Sequence, residues 1–271
     1  MAQINEESLT DLQRTAHAMA DAARVAVLPF FRRMDLGAEN KAELTGKGAF
    51  DPVTEGDRAA ERAMRAVLAK MRPDDAVIGE EYGATAGTSG LTWVLDPIDG
   101  TRDYVRGRDG WAVSIALVEG GRATLAVLDA PARGEHWRAA RGTGAVRNGL
   151  PITASTRTDL SGARVPADVL PKADMDLVTV YKPNSIALRI AMVAADEADL
   201  VAALRWGHEW DIAAAALIAE EAGGKVTDAH GRPLRFNSTK GEAFGVLATG
   251  TPLHPVAVAR LEERARKYSV R

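Results

Sequence analysis

The chain has no cysteine among its 271 residues, which excludes a disulfide framework and any thiolate metal site. It has no apolar run near the roughly 18 residues that a membrane span needs. Its opening residues, MAQINEESLT, are polar and carry no expectation of a signal peptide. Neither sign of charge is in excess, with 34 Lys and Arg against 37 Asp and Glu and a net charge of -3. Nothing in that balance draws the chain to a nucleic-acid polymer or a membrane. Internal repeats and low-complexity segments are missing too. The expectation is a cytoplasmic protein with a small-molecule partner, long enough to bury one or two packed units.

Several phosphate-handling signatures are also missing. Gly46-Lys47 is followed by Gly48 rather than Ser or Thr, which argues against a P-loop. Gly142-Thr143-Gly144-Ala145-Val146-Arg147 lacks the third glycine of a dinucleotide fingerprint and reads as a hairpin after the strand Glu135 to Ala140. No strand ends in the Asp-x-Asp spacing that a phosphoaspartyl route would want.

What the chain does have is acid placed where strands and helices end. An apolar strand from Leu91 to Leu95 leads into Asp96-Pro97-Ile98-Asp99-Gly100-Thr101, where Pro97 stiffens a turn and Gly100 lets it fold tightly. Two carboxylates aimed at one point repel unless a cation lies between them, and hard oxygen ligands favour Mg²⁺ or Mn²⁺. Gly100 and Thr101 then open a short helical turn whose N–H groups suit a phosphate. Gly79-Glu80-Glu81 follows the apolar run Ala76-Val77-Ile78, and Trp210-Asp211 precedes the apolar helix Ile212 to Ala222. Two of the three taken alone have an ordinary reading: a solvated Asp/Pro/Gly turn for the first, and an N-cap for Asp211. Together they fit an oxygen-only divalent site.

In order and spacing, from about Asp51 to Gly250, Asp96 to Thr101, Gly79-Glu80-Glu81 and WDIAAAALIAEEAGG resemble the inositol monophosphatase superfamily of Mg²⁺-dependent, lithium-sensitive phosphomonoesterases. Within it, Gly107 to Leu117 and Gly231 to Asn237 are similar to bacterial 3'(2'),5'-bisphosphate nucleotidases. The resemblance implies an α+β fold, a layered α/β/α/β/α sandwich of the inositol monophosphatase and fructose-1,6-bisphosphatase type. Its site would lie where an N-terminal half, 1–150, meets a C-terminal half, 151–271, in one compact unit. It also implies two or three Mg²⁺, with Mn²⁺ able to substitute, held by Glu80, Asp96, Asp99, Asp211 and the Ile98 carbonyl. Thr101 and Asp57 would position and deprotonate the attacking water, and Glu80 counts with them as catalytic. Thr54-x-x-Asp57 is equally a capping box for a helix from Arg58 to Met71, and both roles are compatible. Phosphate monoesters hydrolyse very slowly in water, and divalent ions answer this by acidifying a bound water and stabilising the leaving oxygen.

For the substrate, the resemblance offers Gly100 and Thr101 to the phosphate and aligns Asn184-Ser185-Ile186 with the family's contact segment. Lys182 and Arg189 stand close by in sequence and would suit a second phosphate, although Arg189 reads equally as a helix-surface residue. His208 is a minor candidate for the leaving-group pocket. Inositol-specific relatives carry a Glu seven residues before the Trp-Asp motif's Asp; Leu204 stands there in this chain. Adenosine 3',5'-bisphosphate is therefore the leading substrate expectation, with inositol, other sugar or histidinol phosphates as alternatives. A non-catalytic phosphometabolite-binding protein is the alternative of another class. Relatives include dimers, so a homodimer is possible.

The coarse element reading has a helix from Glu6 to Arg33 and a mobile loop from Gly37 to Phe50 carrying Lys47. Strands are expected near Val77, Val94, Ser114, Val127, Trp137 and Val178. Further on it gives a helix from Ser185 to Ala195, a strand from Asp199 to Leu204 and a helix Ile212 to Ala222 capped by Gly223-Gly224. A strand from Phe244 to Thr249 and a helix from Pro255 to Lys267 close the chain.

Overall fold

The computed structural model describes residues 6–32, 39–40 and 52–269. Apart from Glu39 and Asn40, the loop Gly37 to Phe50, with Lys47, lies outside the described residues.

Helix α1 (Glu6–Val27) buries Leu12, Ala16, Met19, Ala20, Ala23 and Val27 on one stripe, as the spacing predicts. It stops at Val27 rather than at Arg33. Pro29 has no N–H to donate and disfavours helix at Leu28, so the chain closes with Phe30 and Phe31 bonding to the Val27 carbonyl. Short strands β1 (Glu39–Asn40) and β2 (Pro52–Val53) pair antiparallel. Helix α2 (Glu55–Met71) starts three residues before the expected Arg58, on a complete Thr54/Asp57 capping box. Its Ala60, Met64 and Leu68 pack with the buried stripe of α1.

The chain then builds β3 (Ala76–Gly79), β4 (Gly83–Thr85), β5 (Leu91–Asp99), the short α3 (Thr101–Val105), β6 (Ala112–Glu119), β7 (Arg122–Ala130), β8 (Glu135–Ala140), β9 (Ala145–Arg147) and β10 (Leu150–Pro151). The eight strands form one sheet in the order β10-β9-β8-β7-β6-β5-β3-β4, with β3 and β5 parallel. Alternation assigns the faces: Trp93, Leu95, Ile115, Leu117, Leu125 and Val127 pack under α1 and α2, while Val94, Ala116, Val118, Ala126 and Leu128 face the other way. The hairpin read at Gly142 is present between β8 and β9.

A small parallel pair, β11 (Arg164–Pro166) and β12 (Val178–Val180), leads to α4 (Ile186–Ala194), β13 (Leu200–His208), α5 (Ala213–Glu221), β14 (Gly224–Thr227), β15 (Glu242–Gly250) and α6 (His254–Ser269). Gly223 supplies the left-handed residue after α5 at φ 89°, but Gly224 already belongs to β14. There a Cβ would meet the Ala219 carbonyl at 2.8 Å. The second sheet, β13-β15-β14, turns Val201, Val226, Val246 and Ala248 toward α4 and α5, and Leu200 and Leu247 toward Leu253, Ala257 and Leu261 beside α6. The layers are helix, sheet, helix, sheet, helix, as expected. No helix among the described residues is long and apolar enough to cross a membrane.

His254, buried at the start of α6, has its Nε2 3.1 Å from Thr227 Oγ1, and that hydroxyl donates to the Asp228 carbonyl. The imidazole must therefore donate from Nε2. Burial, then the charge of Lys225, lowers its pKa from 6.5 to about 4. Across that interval the unfolded chain holds a proton that the folded chain lacks, so this residue's contribution to stability is lost as pH falls from about 6.5 to about 4. Denaturant midpoints measured across the window should fall less steeply in His254→Gln than in wild type; parallel slopes would contradict this.

Candidate active site

Strand β5 does not stop at Leu95 but stays buried to Asp99, with a register shift between Asp96 and Asp99 where Pro97 interrupts its pairing with β6. Asp96 Oδ1 accepts the Ile98 N–H at 3.0 Å, and the Thr101 hydroxyl donates to the Ile98 carbonyl at 3.0 Å. Gly100 turns the chain at φ 93°, and a Cβ there would lie 2.7 Å from both the Gly110 carbonyl and the Ser185 nitrogen. Only glycine fits. Asp99 Oδ2 accepts from the Ser185 hydroxyl at 2.5 Å and the Ala187 N–H at 2.7 Å, which ties the motif to the first turn of α4.

Glu80 follows β3, its N–H on the Leu95 carbonyl. Beneath it lies Glu61 of α2, fully buried, accepting from the N–H groups of Glu81 at 2.7 Å and Tyr82 at 3.2 Å and from Arg65 Nε at 2.8 Å. A Cβ on Gly79 would sit 2.0 Å from Glu61 Oε1, so the glycine admits this buried carboxylate. Asp211 stands in the turn before α5. The N-cap of that helix is Ile212 and no side chain caps it, which removes the ordinary reading of Asp211. The Ser114 hydroxyl holds the preceding Trp210 carbonyl at 3.2 Å.

Glu80, Asp96, Asp99 and Asp211 thus meet around a cleft of about 200 Å³, joined by Gly100, Thr101, Arg102, Asn184, Arg189 and Arg205. Burial, then the charges of Glu80, Asp99 and Asp211, pushes Asp96 well above the usual carboxylate range. Burial, then Asp99 and Glu80, does the same to Asp211. Burial also raises Asp99, against the pull of its Ser185 and Ala187 hydrogen bonds. Asp57 lies behind the cleft, its Oδ2 accepting the Thr54 N–H at 2.8 Å and hydroxyl at 2.6 Å. Burial is the main reason, with Glu80 adding, that its pKa rises to about 8.

Crowded buried anions of this kind cost stability unless a cation joins them, and an all-oxygen donor set fits Mg²⁺ or Mn²⁺. Among the described residues no three acidic or imidazole side chains are gathered closely enough to hold a metal ion as they stand.

The substrate-side expectations fare less evenly. Arg189 is in the cleft, its Nε on the Ser185 carbonyl at 3.2 Å and Nη2 on the Asn184 carbonyl at 2.8 Å. Ser185 is fully buried and spends its hydroxyl on Asp99 while accepting the Leu188 N–H, so it orients a carboxylate and caps α4 instead of lining the cleft. Lys182 pairs with Asp168 at 2.6 Å, outside the cleft lining. His208 stacks on Trp210, ring centres 4.3 Å apart, also outside it. Leu204 packs among apolar residues under α6, and its neighbour Arg205 is the one presented to the cleft. The sequence reading names Asn184, which the cleft includes, but passes over Glu61, Arg102 and Arg205. Glu61 had a signal: Asp57, Glu61, Met64 and Leu68 share one helical stripe, and an acid within an apolar stripe needs a partner.

The fold, a helix layer between a large mixed sheet and a small antiparallel one, and a polar, carboxylate-rimmed cleft are shared with a family of phosphoric monoester hydrolases. The model of the inositol monophosphatase family matches residues 9–264, and the chain belongs to that family. It is 38% identical over 246 residues to a histidinol-phosphatase of Streptomyces coelicolor, covering 83% of this chain and 89% of the relative. An inositol monophosphatase of Mesembryanthemum crystallinum is 33% identical over 219 residues, 74% of this chain and 81% of its own. The solved inositol monophosphatase from Zymomonas mobilis superposes with a TM-score of 0.76 at 32% identity, covering 94% of this chain and 99% of that one.

Proposed function

We propose that this phosphatase uses Mg²⁺ held by Glu80, Asp96, Asp99, Asp211 and the Ile98 carbonyl to hydrolyse a monoester whose leaving group carries a second phosphate, with adenosine 3',5'-bisphosphate as the leading substrate. The observation that carries this reading is the crowding of four carboxylates in a cleft whose remaining wall holds Arg189 and Arg205. The bound ions would acidify the attacking water and offset charge on the phosphate and leaving oxygen.

The residues of the chain do the rest. Thr101, its proton committed to the Ile98 carbonyl, offers lone pairs that fix the water in line. Asp57, anchored by Thr54, takes the water's proton as its oxygen bonds phosphorus. The ester oxygen leaves and is protonated from solvent. Gly100 and Thr101 hold the phosphate from the backbone.

A second reading, histidinol phosphate, is favoured by the 38% identity to a histidinol-phosphatase. Comparing kcat/KM for adenosine 3',5'-bisphosphate, histidinol phosphate and inositol 1-phosphate separates the two. The bisphosphate should be preferred, and millimolar lithium should inhibit. A preference for histidinol phosphate would replace the nucleotide reading, and binding without turnover of any of the three would favour a phosphometabolite-binding protein.

A further inference from the structure

We propose that Arg205 is the specificity-determining residue of the cleft, reading a second anionic group, phosphate or carboxylate, on the leaving-group side of the substrate. The proposal rests on the phosphatase reading above and adds the residue that selects among its substrates.

Arg205 lies within β13 where the register with β15 shifts between Ala203 and Trp206. The shift leaves Leu204 among apolar side chains and gives Arg205 to the cleft that Asp99, Arg189 and Asp211 share. Three guanidiniums line the cleft, those of Arg102, Arg189 and Arg205, and the last two differ in how they are held. Arg189 is pinned through Nε and Nη2 by the carbonyls of Ser185 and Asn184. Arg205 is exposed, and among the described residues its side chain closes no hydrogen bond and no ion pair.

Arg205 and Arg189 line the same cleft, so their like charges face one space. Two guanidiniums facing one polar space, one fixed and one unspent, favour an anion between them. A neutral polyol leaving group gains nothing from this arrangement, and one bearing an ammonium is repelled.

The test is the ratio of kcat/KM values for adenosine 3',5'-bisphosphate, inositol 1-phosphate and histidinol phosphate in wild type, Arg205→Ala, Arg205→Lys and Arg205→Glu. In Arg205→Ala the bisphosphate-to-inositol-phosphate ratio should fall about tenfold, mainly through KM, with Arg205→Lys recovering most of it. Arg205→Glu should lower the ratio further and move preference toward histidinol phosphate. Because the side chain is exposed, the variants should melt with wild type. A ratio that stays within about twofold in all three variants would overturn the proposal, since a residue that only offsets Asp211 slows every substrate alike. That result differs from failure of the phosphatase reading, in which wild type itself releases no phosphate.

Discussion

Asp96→Asn is expected to lower phosphate release by about a thousandfold or more, while leaving the metal-free protein at least as stable as wild type. The residue is 2% exposed, and its ionised form is opposed by burial and by Glu80, Asp99 and Asp211. Asparagine keeps the oxygen that accepts the Ile98 N–H and removes the charge. Folding without metal should therefore improve, as expected when a buried like charge is lost. Mg²⁺ should raise the melting temperature of wild type and barely move that of the variant. Turnover near wild type in Asp96→Asn would remove the residue from the site, and a large drop in metal-free stability would show that its role is structural.

Glu61→Ala is expected to cost about 3–5 kcal/mol of stability, because it strips three donors of a fully buried acceptor. The N–H groups of Glu81 and Tyr82 and the Nε of Arg65 all point at its carboxylate. Glu80 is bonded through the chain to one of those donors, so the variant should also weaken Mg²⁺ binding, seen as a higher metal concentration for half-maximal activity. Denaturant unfolding with and without Mg²⁺ measures both. A loss below about 1 kcal/mol would mean that the turn after β3 is held by other contacts. Glu61→Gln, which retains one acceptor oxygen, should fall between Ala and wild type.

Where the sequence was legible, the information was local. The stripe on α1, the Thr54/Asp57 box and the strands around Val94, Ser114 and Val127 are read from neighbours a few residues apart, and the structure builds them as expected. The acidic residues at element ends were visible for the same reason, and the cleft gathers Glu80, Asp96, Asp99 and Asp211. Partners set by tertiary contact were hidden. Ser185 was assigned to substrate on alignment with a contact segment, but Asp99, 86 positions away, takes its hydroxyl. Lys182, expected near an anion, pairs with Asp168 in this structure.

Two local errors have local causes. The α1 pattern continues past Val27, but Pro29 removes a donor and ends the helix. Asp-Pro-Ile-Asp reads as turn chemistry, and only the pairing with β6 carries β5 to Asp99. The shift in β13 is the same kind of feature. Spacing from the Trp-Asp motif presents Leu204 as the residue to weigh, whereas the shift turns Arg205 to the cleft.

The central claim is that the carboxylates of this cleft serve a cation-dependent phosphatase. Its most direct test is inorganic phosphate release by the wild-type chain from adenosine 3',5'-bisphosphate, histidinol phosphate and inositol 1-phosphate, with Mg²⁺ and with EDTA in its place. The account predicts release from at least one substrate with Mg²⁺, lost in EDTA and restored when Mg²⁺ is returned. Release that persists at full rate in EDTA, or no release from any of the three with Mg²⁺ or Mn²⁺, would contradict it.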